Sequence, residues 1–168
     1  MSTIKQMQNE MYASGVNSQN HFISLMEKEG YKCTKANSYE DKVEHWDVMT
    51  EKDGNVDYID VKSNKEVTKQ GYTWVEQQNV EGNTGWLYGE KLTAIAFEKD
   101  DRFDIVDVHG LRKLIDEKIK DKGELVFMKP PDLKDLLYRR YRRAGRYDIV
   151  ILTPFEDIDK LIIKTVYK

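Results

Sequence analysis

The chain has 168 residues, 34% charged and 39% hydrophobic, with a formal net charge of −3. That length suits one domain over residues 1–168 with a sizeable core, and that charge excludes a protein that grips nucleic acid with its whole surface unless the basic residues are segregated. A single cysteine, Cys33, excludes an intrachain disulfide. No apolar run approaches the roughly 20 residues of a membrane span, and the opening MSTIKQMQNEM lacks the apolar centre of a signal peptide. The expectation is a soluble cytoplasmic protein.

Residues 3–13 set Ile4, Met7 and Met11 at helical spacing among polar neighbours, which predicts a short helix or arm that Gly15 breaks. Residues 18–29 carry Phe22, Ile23, Leu25 and Met26 on one stripe, and Gly30 sits where such a helix ends. Tyr31 to Ala36 reads as a core strand containing Cys33, followed by the polar loop NSYEDK.

His45 to Lys62, HWDVMTEKDGNVDYIDVK, reads as a β-hairpin. Asp53-Gly54 between two strand-like runs is a strong turn signal, because a type I′ turn needs φ > 0 at both central residues. Pairing about that turn sets Lys52 against Asn55, Asp47 against Asp60 and His45 against Lys62. Opposed side chains share a face with Cβ atoms about 5 Å apart, and Lys62, two residues from Asp60, shares it too. Two adjacent carboxylates repel. A fold that keeps them together neutralises them with a proton, a lysine or a divalent cation.

After a polar loop, Tyr72 to Asn79 alternates as a third strand, with Tyr72, Trp74, Glu76 and Gln78 on one face. Glu76 is then either beside the paired carboxylates or an edge-strand residue in solvent. The loop VEGNTGWLYG, residues 80–89, is aromatic for a connector. Either Trp86 and Leu87 plug the core beneath a tight turn, or the loop meets a ligand at the active face. Leu92 to Glu98 and Arg102 to Val108 read as a second hairpin about Lys99-Asp100-Asp101, and 110–121 as a helix closed by Lys122-Gly123. Glu124 to Met128 is a short strand stopped by Pro130-Pro131. Asp132 is an N-cap for the helix DLKDLLYRR, with Leu133, Leu136 and Leu137 inward. Tyr147 to Thr153 is a strand, Thr153-Pro154 opens a helical turn, and IIKTV is a final strand. The fold class is α/β, a central mixed β-sheet flanked by helices.

Residues 129–146 segregate the positive charge. Lys129, Lys134, Arg139, Arg140, Arg142, Arg143 and Arg146 stand against Asp132 and Asp135, a net of +5 that leaves −8 for the rest of the chain. Arginines interleaved with Tyr138 and Tyr141 suit phosphate contacts and base stacking. An acidic protein partner or a solvated helix end are the alternatives. Elsewhere, His21, His45 and His109 have no metal-ligand spacing, Cys33 has no paired base, and no glycine-rich phosphate loop is present.

Asp47, twelve intervening residues and then Asp60-Val61-Lys62 resemble the PD-(D/E)XK nuclease motif of restriction enzymes and Holliday-junction resolvases, with Trp46 where the family has its Pro. The run from WVEQQN through GWLYG to IAFE is similar to a segment of small nuclease-fold proteins of phages and bacteria. The resemblance implies a restriction-endonuclease-like core and a Mg²⁺-dependent DNA endonuclease, Mn²⁺ substituting, with junctions or branched DNA among its substrates. It implies Asp47, Asp60 and the Val61 carbonyl as metal ligands, Lys62 as the catalytic lysine and Glu76 as the family's further acidic position. The arginine segment (Arg139, Arg140, Arg142, Arg143, Arg146), Tyr141 and Trp86 would contact DNA, and duplex-cutting members are often homodimers. Resolvase-like members often place another acidic ligand on the first helix, where this chain has Gln19-Asn20-His21. That departure favours the alternative of an idle nuclease fold that binds DNA or a protein. An RNA-processing nuclease is a third reading.

Overall fold

The computed structural model describes residues 3–119, 126–127 and 137–168. The predicted closure at Lys122-Gly123, the break at Pro130-Pro131 and the cap at Asp132 with Leu133 and Leu136 lie outside the described residues, as do Lys129 and Lys134.

The first element, α1, is one helix over Ile4–Lys28. The expected break at Gly15 does not occur. Thr3 caps the N-terminus in a reciprocal capping box with Gln6, and no proline or β-branched run interrupts the remaining turns. Glycine inside a helix costs only about 1 kcal/mol relative to alanine, which packing of the second half outweighs. Phe22, Leu25 and Met26 are buried there. Residues 3–14, by contrast, are all exposed, with Ile4, Met7, Met11 and Tyr12 open to solvent. Gly30, at φ 86°, ends the helix as expected.

The main sheet has six strands: β1 Lys32–Lys35, β2 Val48–Lys52, β3 Asn55–Lys62, β5 Ala94–Glu98, β6 Arg102–Asp107 and β10 Ile162–Tyr167. They lie side by side in the order β1-β2-β3-β5-β6-β10. Only β3 and β5 pair in parallel, so the sheet is mixed. β1 forms an edge, and Cys33 is half-buried there rather than in the core. Along β3, Ile59 and Val61 join Phe22, Met26, Ala94 and Ala96 beneath α1. Period-2 alternation sends Tyr58, Asp60 and Lys62 to the opposite face. There Ile95, Phe97 and Val106 pack with Leu111 and Ile115 of the helix α3, Val108–Lys118.

The third predicted strand, β4 (Tyr72–Gln78), forms, but not next to the hairpin. It belongs to a second sheet with β7 Val126–Phe127, β8 Arg140–Arg142 and β9 Ile149–Pro154, in the order β4-β9-β8-β7. Val75 and Ile151 from this sheet pack with Ile95 and Phe97 of the first, so a shared apolar layer holds the two sheets together. The predicted helix through Leu137–Arg140 is corrected: Leu137 bridges Leu152, Tyr138 has φ 59°, and Arg140–Arg142 is extended. The Arg-Tyr-Arg alternation explains this, because period 2 buries Tyr141 between two more exposed arginines. The short α2 (Glu66–Lys69) and α4 (Phe155–Ile158) complete the described fold.

No helix among the described residues is long and apolar enough to cross a membrane. A Cβ on Gly15 would meet nothing within 4 Å. Gly15→Ala should therefore stabilise the protein by about 0.5–1 kcal/mol, read as a higher urea midpoint with an unchanged slope.

Candidate active site

The hairpin forms in the expected register. Asp53 (φ 52°) and Gly54 (φ 79°) both take left-handed backbone, the type I′ requirement, and Lys52 pairs with Asn55, continuing to Val48 with Ile59. Beyond Val48 the ladder changes. The Asp47 N–H donates to the Ile59 carbonyl at 2.9 Å, and the Val61 N–H donates to Asp47 Oδ2 at 2.8 Å. The Asp47 side chain thus replaces a backbone acceptor at the end of the hairpin, and this anchors it toward Asp60. The two carboxyl groups are neighbours, close enough for each to act on the other's charge. Asp60 is buried, and its Oδ2 is 2.7 Å from Lys62 Nζ.

His45 does not occupy a ladder position opposite Lys62. It ends a π-helical turn over Glu40–Glu44 in left-handed backbone, φ 60°. The turn nevertheless delivers His45 and Asp41 to the same cleft as Asp60 and Lys62.

The facing wall comes from β4 and the loop after it. Trp74 and Glu76, the alternating residues expected on one face, both line the cleft. Trp86 lies in a 3₁₀ turn over Trp86–Tyr88. It is buried in the core, and its ring is 4.9 Å from Lys62 Nζ. Two glycines permit this placement. A Cβ at Gly85 would stand 2.5 Å from the Glu76 carbonyl oxygen, and one at Gly89 would stand 2.8 Å from that of Glu44. The loop therefore lies directly against β4 on one side and the turn before His45 on the other. Arg112 of α3 fastens it by donating to the Leu87 carbonyl at 2.5 Å and the Gly89 carbonyl at 2.7 Å.

The cleft between these walls has a volume of about 450 Å³. Burial pushes the Asp47 carboxyl up to about 8, helped by the adjacent Asp60 and opposed by the Val61 N–H and Lys62. Asp47 therefore holds a proton where an isolated aspartate would not. Burial also raises Glu76, against the pull of Lys62 and the hydrogen bond from the Trp86 N–H. Burial works to lower Lys62, but Asp60 foremost, then Asp47 and Glu76, outweigh it and hold the ammonium charged. Lys65 is lowered by burial and by its cationic neighbours Lys62 and Arg143.

Asp47, Asp60, Lys62, Glu76 and Trp86 are thus brought together, and of the arginine segment Arg143 lines the cleft. Its guanidinium is held by the fully buried Asp148, which also accepts from Arg143 Nε at 2.5 Å. Arg140 instead donates to Gln77 at 3.2 Å. Arg139 and Arg142 are half-buried and Arg146 is exposed. The expectation that Tyr138 and Tyr141 offer rings for stacking is corrected. Both are buried, Tyr138 donating to Asp157 and Tyr141 meeting Trp74 edge to face. Gln19, Asn20 and His21 are placed elsewhere, Asn20 accepting from Lys35 and His21 against Phe103. Sequence reasoning does not find Asp41 and Lys65. The acidic pair Glu40-Asp41 just upstream of the motif is the available signal for the first, and a π-helical turn has no sequence period to reveal it.

Among the described residues, no group of three or more His, Cys, Asp or Glu is arranged as a metal shell. Searched against protein-family models and curated proteins, the chain matches none.

Asp47 sets a pH dependence. Its value near 8 in the fold lies above the ordinary 3.8, so the folded protein keeps a proton that the unfolded chain releases. The stabilisation is full below about pH 4 and is lost as pH rises to about 8. The melting temperature should fall between pH 5 and 8. It should fall less in Asp47→Asn, whose amide can accept from Val61 and donate to Asp60 at every pH. Parallel profiles for the two proteins would refute this assignment.

Proposed function

We propose that the chain is a metal-dependent DNA endonuclease of the PD-(D/E)XK type. The observation that carries the reading is the adjacency of Asp47 and Asp60 beside Lys62, whose ammonium is 2.7 Å from Asp60. The opening order of helix, strand and antiparallel hairpin agrees with the way the core of that family begins.

A divalent cation suits the donor set. One oxygen of Asp47 is taken by the Val61 N–H and one of Asp60 by Lys62, which leaves a hard carboxylate oxygen on each. The proton the pair now holds is the charge that a cation would replace. Mg²⁺ would be held by Asp47, Asp60 and the Val61 carbonyl, with Mn²⁺ as a substitute. Bound there, it would supply Lewis acidity toward a phosphate and lower the pKa of a water.

The chain's own groups do the rest. Lys62, charged, stabilises the negative charge that develops on the phosphorus oxygens. It is not the base, because Asp60 holds its proton in place. Glu76, raised in pKa and facing the same cleft, orients water or accepts its proton. Arg143, fixed by Asp148, binds a neighbouring phosphate. As for assembly, the exposed stripe of Ile4, Met7, Met11 and Tyr12 is the surface that a second copy would cover in a homodimer.

The test is cleavage of supercoiled plasmid and of a synthetic four-way junction in Mg²⁺, Mn²⁺ and EDTA. Metal-dependent cutting is expected, abolished by Asp60→Ala and lowered about 10²–10³-fold in kcat by Lys62→Met. Preference for the junction would identify a structure-specific enzyme. Salt-sensitive binding without cutting would sink the nuclease and leave an idle binding module, the reading that the missing acid on α1 favours.

A further inference from the structure

The cleft is a partly open, small cavity. Its volume of about 450 Å³ is in the range of pockets that enclose one small ligand, about 300–1,000 Å³. A space of that size suits one nucleotide better than a stacked duplex. The second sheet contributes to this limit, because Trp74 and Glu76 of β4 line the cleft together with Asp60 and Lys62 of β3.

The lining is chemically mixed. Trp74, Val67 and Val150 are its apolar members, and Lys65 and Arg143 are cations that stand near each other and near Asp60 and Glu76. Trp74 is half-buried, supported on its edge by Tyr141 at 6.2 Å and 81°. That fixes an indole at the cleft wall at little entropic cost. Arg143 is likewise fixed, by Asp148, and Lys65 is in the loop between β3 and α2. An aromatic wall with cations nearby is the combination that holds a base by stacking and its backbone by charge. Trp86 cannot serve as a second platform in the same way, since it is buried and Lys62 is 4.9 Å from its ring.

We propose that this cleft takes a single unstacked nucleotide, so that the substrate enters as single-stranded polynucleotide, with its base against Trp74 and its phosphates toward Lys65 and Arg143. This deepens the nuclease reading and rests on it for the chemistry, but not for the binding. Access to a base inside a duplex requires unpairing and unstacking, a cost that is smallest for a strand already single. Single strands, flaps and frayed ends are therefore favoured over intact duplex. In branched DNA the point of entry is the unpaired nucleotide at the branch.

The experiment measures binding alone, in EDTA, with the full chain and fluorescein-labelled 12-mers. One is single-stranded DNA, one the same sequence as blunt duplex, and one the same sequence as single-stranded RNA. Either single strand should bind at least tenfold tighter than the duplex, and the ratio between DNA and RNA tells which sugar the cleft prefers. Trp74→Ala should weaken single-strand binding about tenfold, the scale of one lost base–aromatic stack. Lys65→Ala should weaken it several-fold and reduce the salt slope by about 1. Both should leave duplex binding unchanged. Equal affinity for duplex and single strand, or a Lys65→Ala variant that binds as the parent does, would overturn the proposal. No turnover enters the measurement, so the two claims fail separately. Selective binding with no cutting in Mg²⁺ keeps the cleft and removes the nuclease, whereas cutting without strand selectivity does the reverse.

Discussion

Two neighbouring carboxyl groups on a half-buried surface are the constraint around which this protein is arranged. Left alone, Asp47 and Asp60 would separate or drive the end of the hairpin apart. They stay together because several groups oppose that. The Val61 N–H donates to one carboxyl, Lys62 is 2.7 Å from the other, and burial keeps a proton on Asp47. The backbone makes its own concession, since Asp47 gives up a regular ladder position so that its side chain can accept where a carbonyl would have. A purely structural hairpin end would be more stable with apolar or single-charge pairing there.

The second sheet converts that pair into a small, partly open site. β4 does not extend the first sheet; it crosses above it, held by the shared apolar layer of Val75, Ile151, Ile95 and Phe97. Contact between β4 and the Trp86 turn depends on the missing side chain at Gly85, because any Cβ there would collide with backbone. Trp86 then does three things at once. It fills the core, its backbone N–H helps to lower the Glu76 pKa against burial, and its ring lies near the Lys62 ammonium. The core and the site are therefore not separable at this position.

Only local features are legible in the sequence. The hairpin register comes from Asp53-Gly54 and from counting, and it brings Asp47, Asp60 and Lys62 to one place before any long-range contact is considered. The alternation of Tyr72 to Gln78 selects Trp74 and Glu76 as sharing a face. It cannot say which strand lies beside them, because β4 pairs with β9, from Tyr72 with Pro154 to Gln78 with Ile149, far along the chain. The arginine segment defeats sequence reasoning at Leu137–Arg140 for a related reason. Leu133, Leu136 and Leu137 have helical spacing, whereas the burial of Tyr141 against Trp74 is a tertiary contact that imposes strand geometry. Gly15 shows the opposite error, a local preference overruled by the packing of Phe22 and its neighbours.

The hairpin has one more property, which concerns length rather than chemistry. Ile59 and Val61 belong beneath α1, and Asp60 and Lys62 belong to the cleft. Membership alternates residue by residue from the tip. A single residue inserted or lost in β3 between Gly54 and Asp60 would exchange the two sets, turning charges toward Phe22 and aliphatic side chains toward the cleft. Two residues would restore the faces and merely shift the site along the strand. The stem of this hairpin is thus a parity lock: it tolerates changes in pairs, and an odd change anywhere along it would erase the site without altering one of its residues.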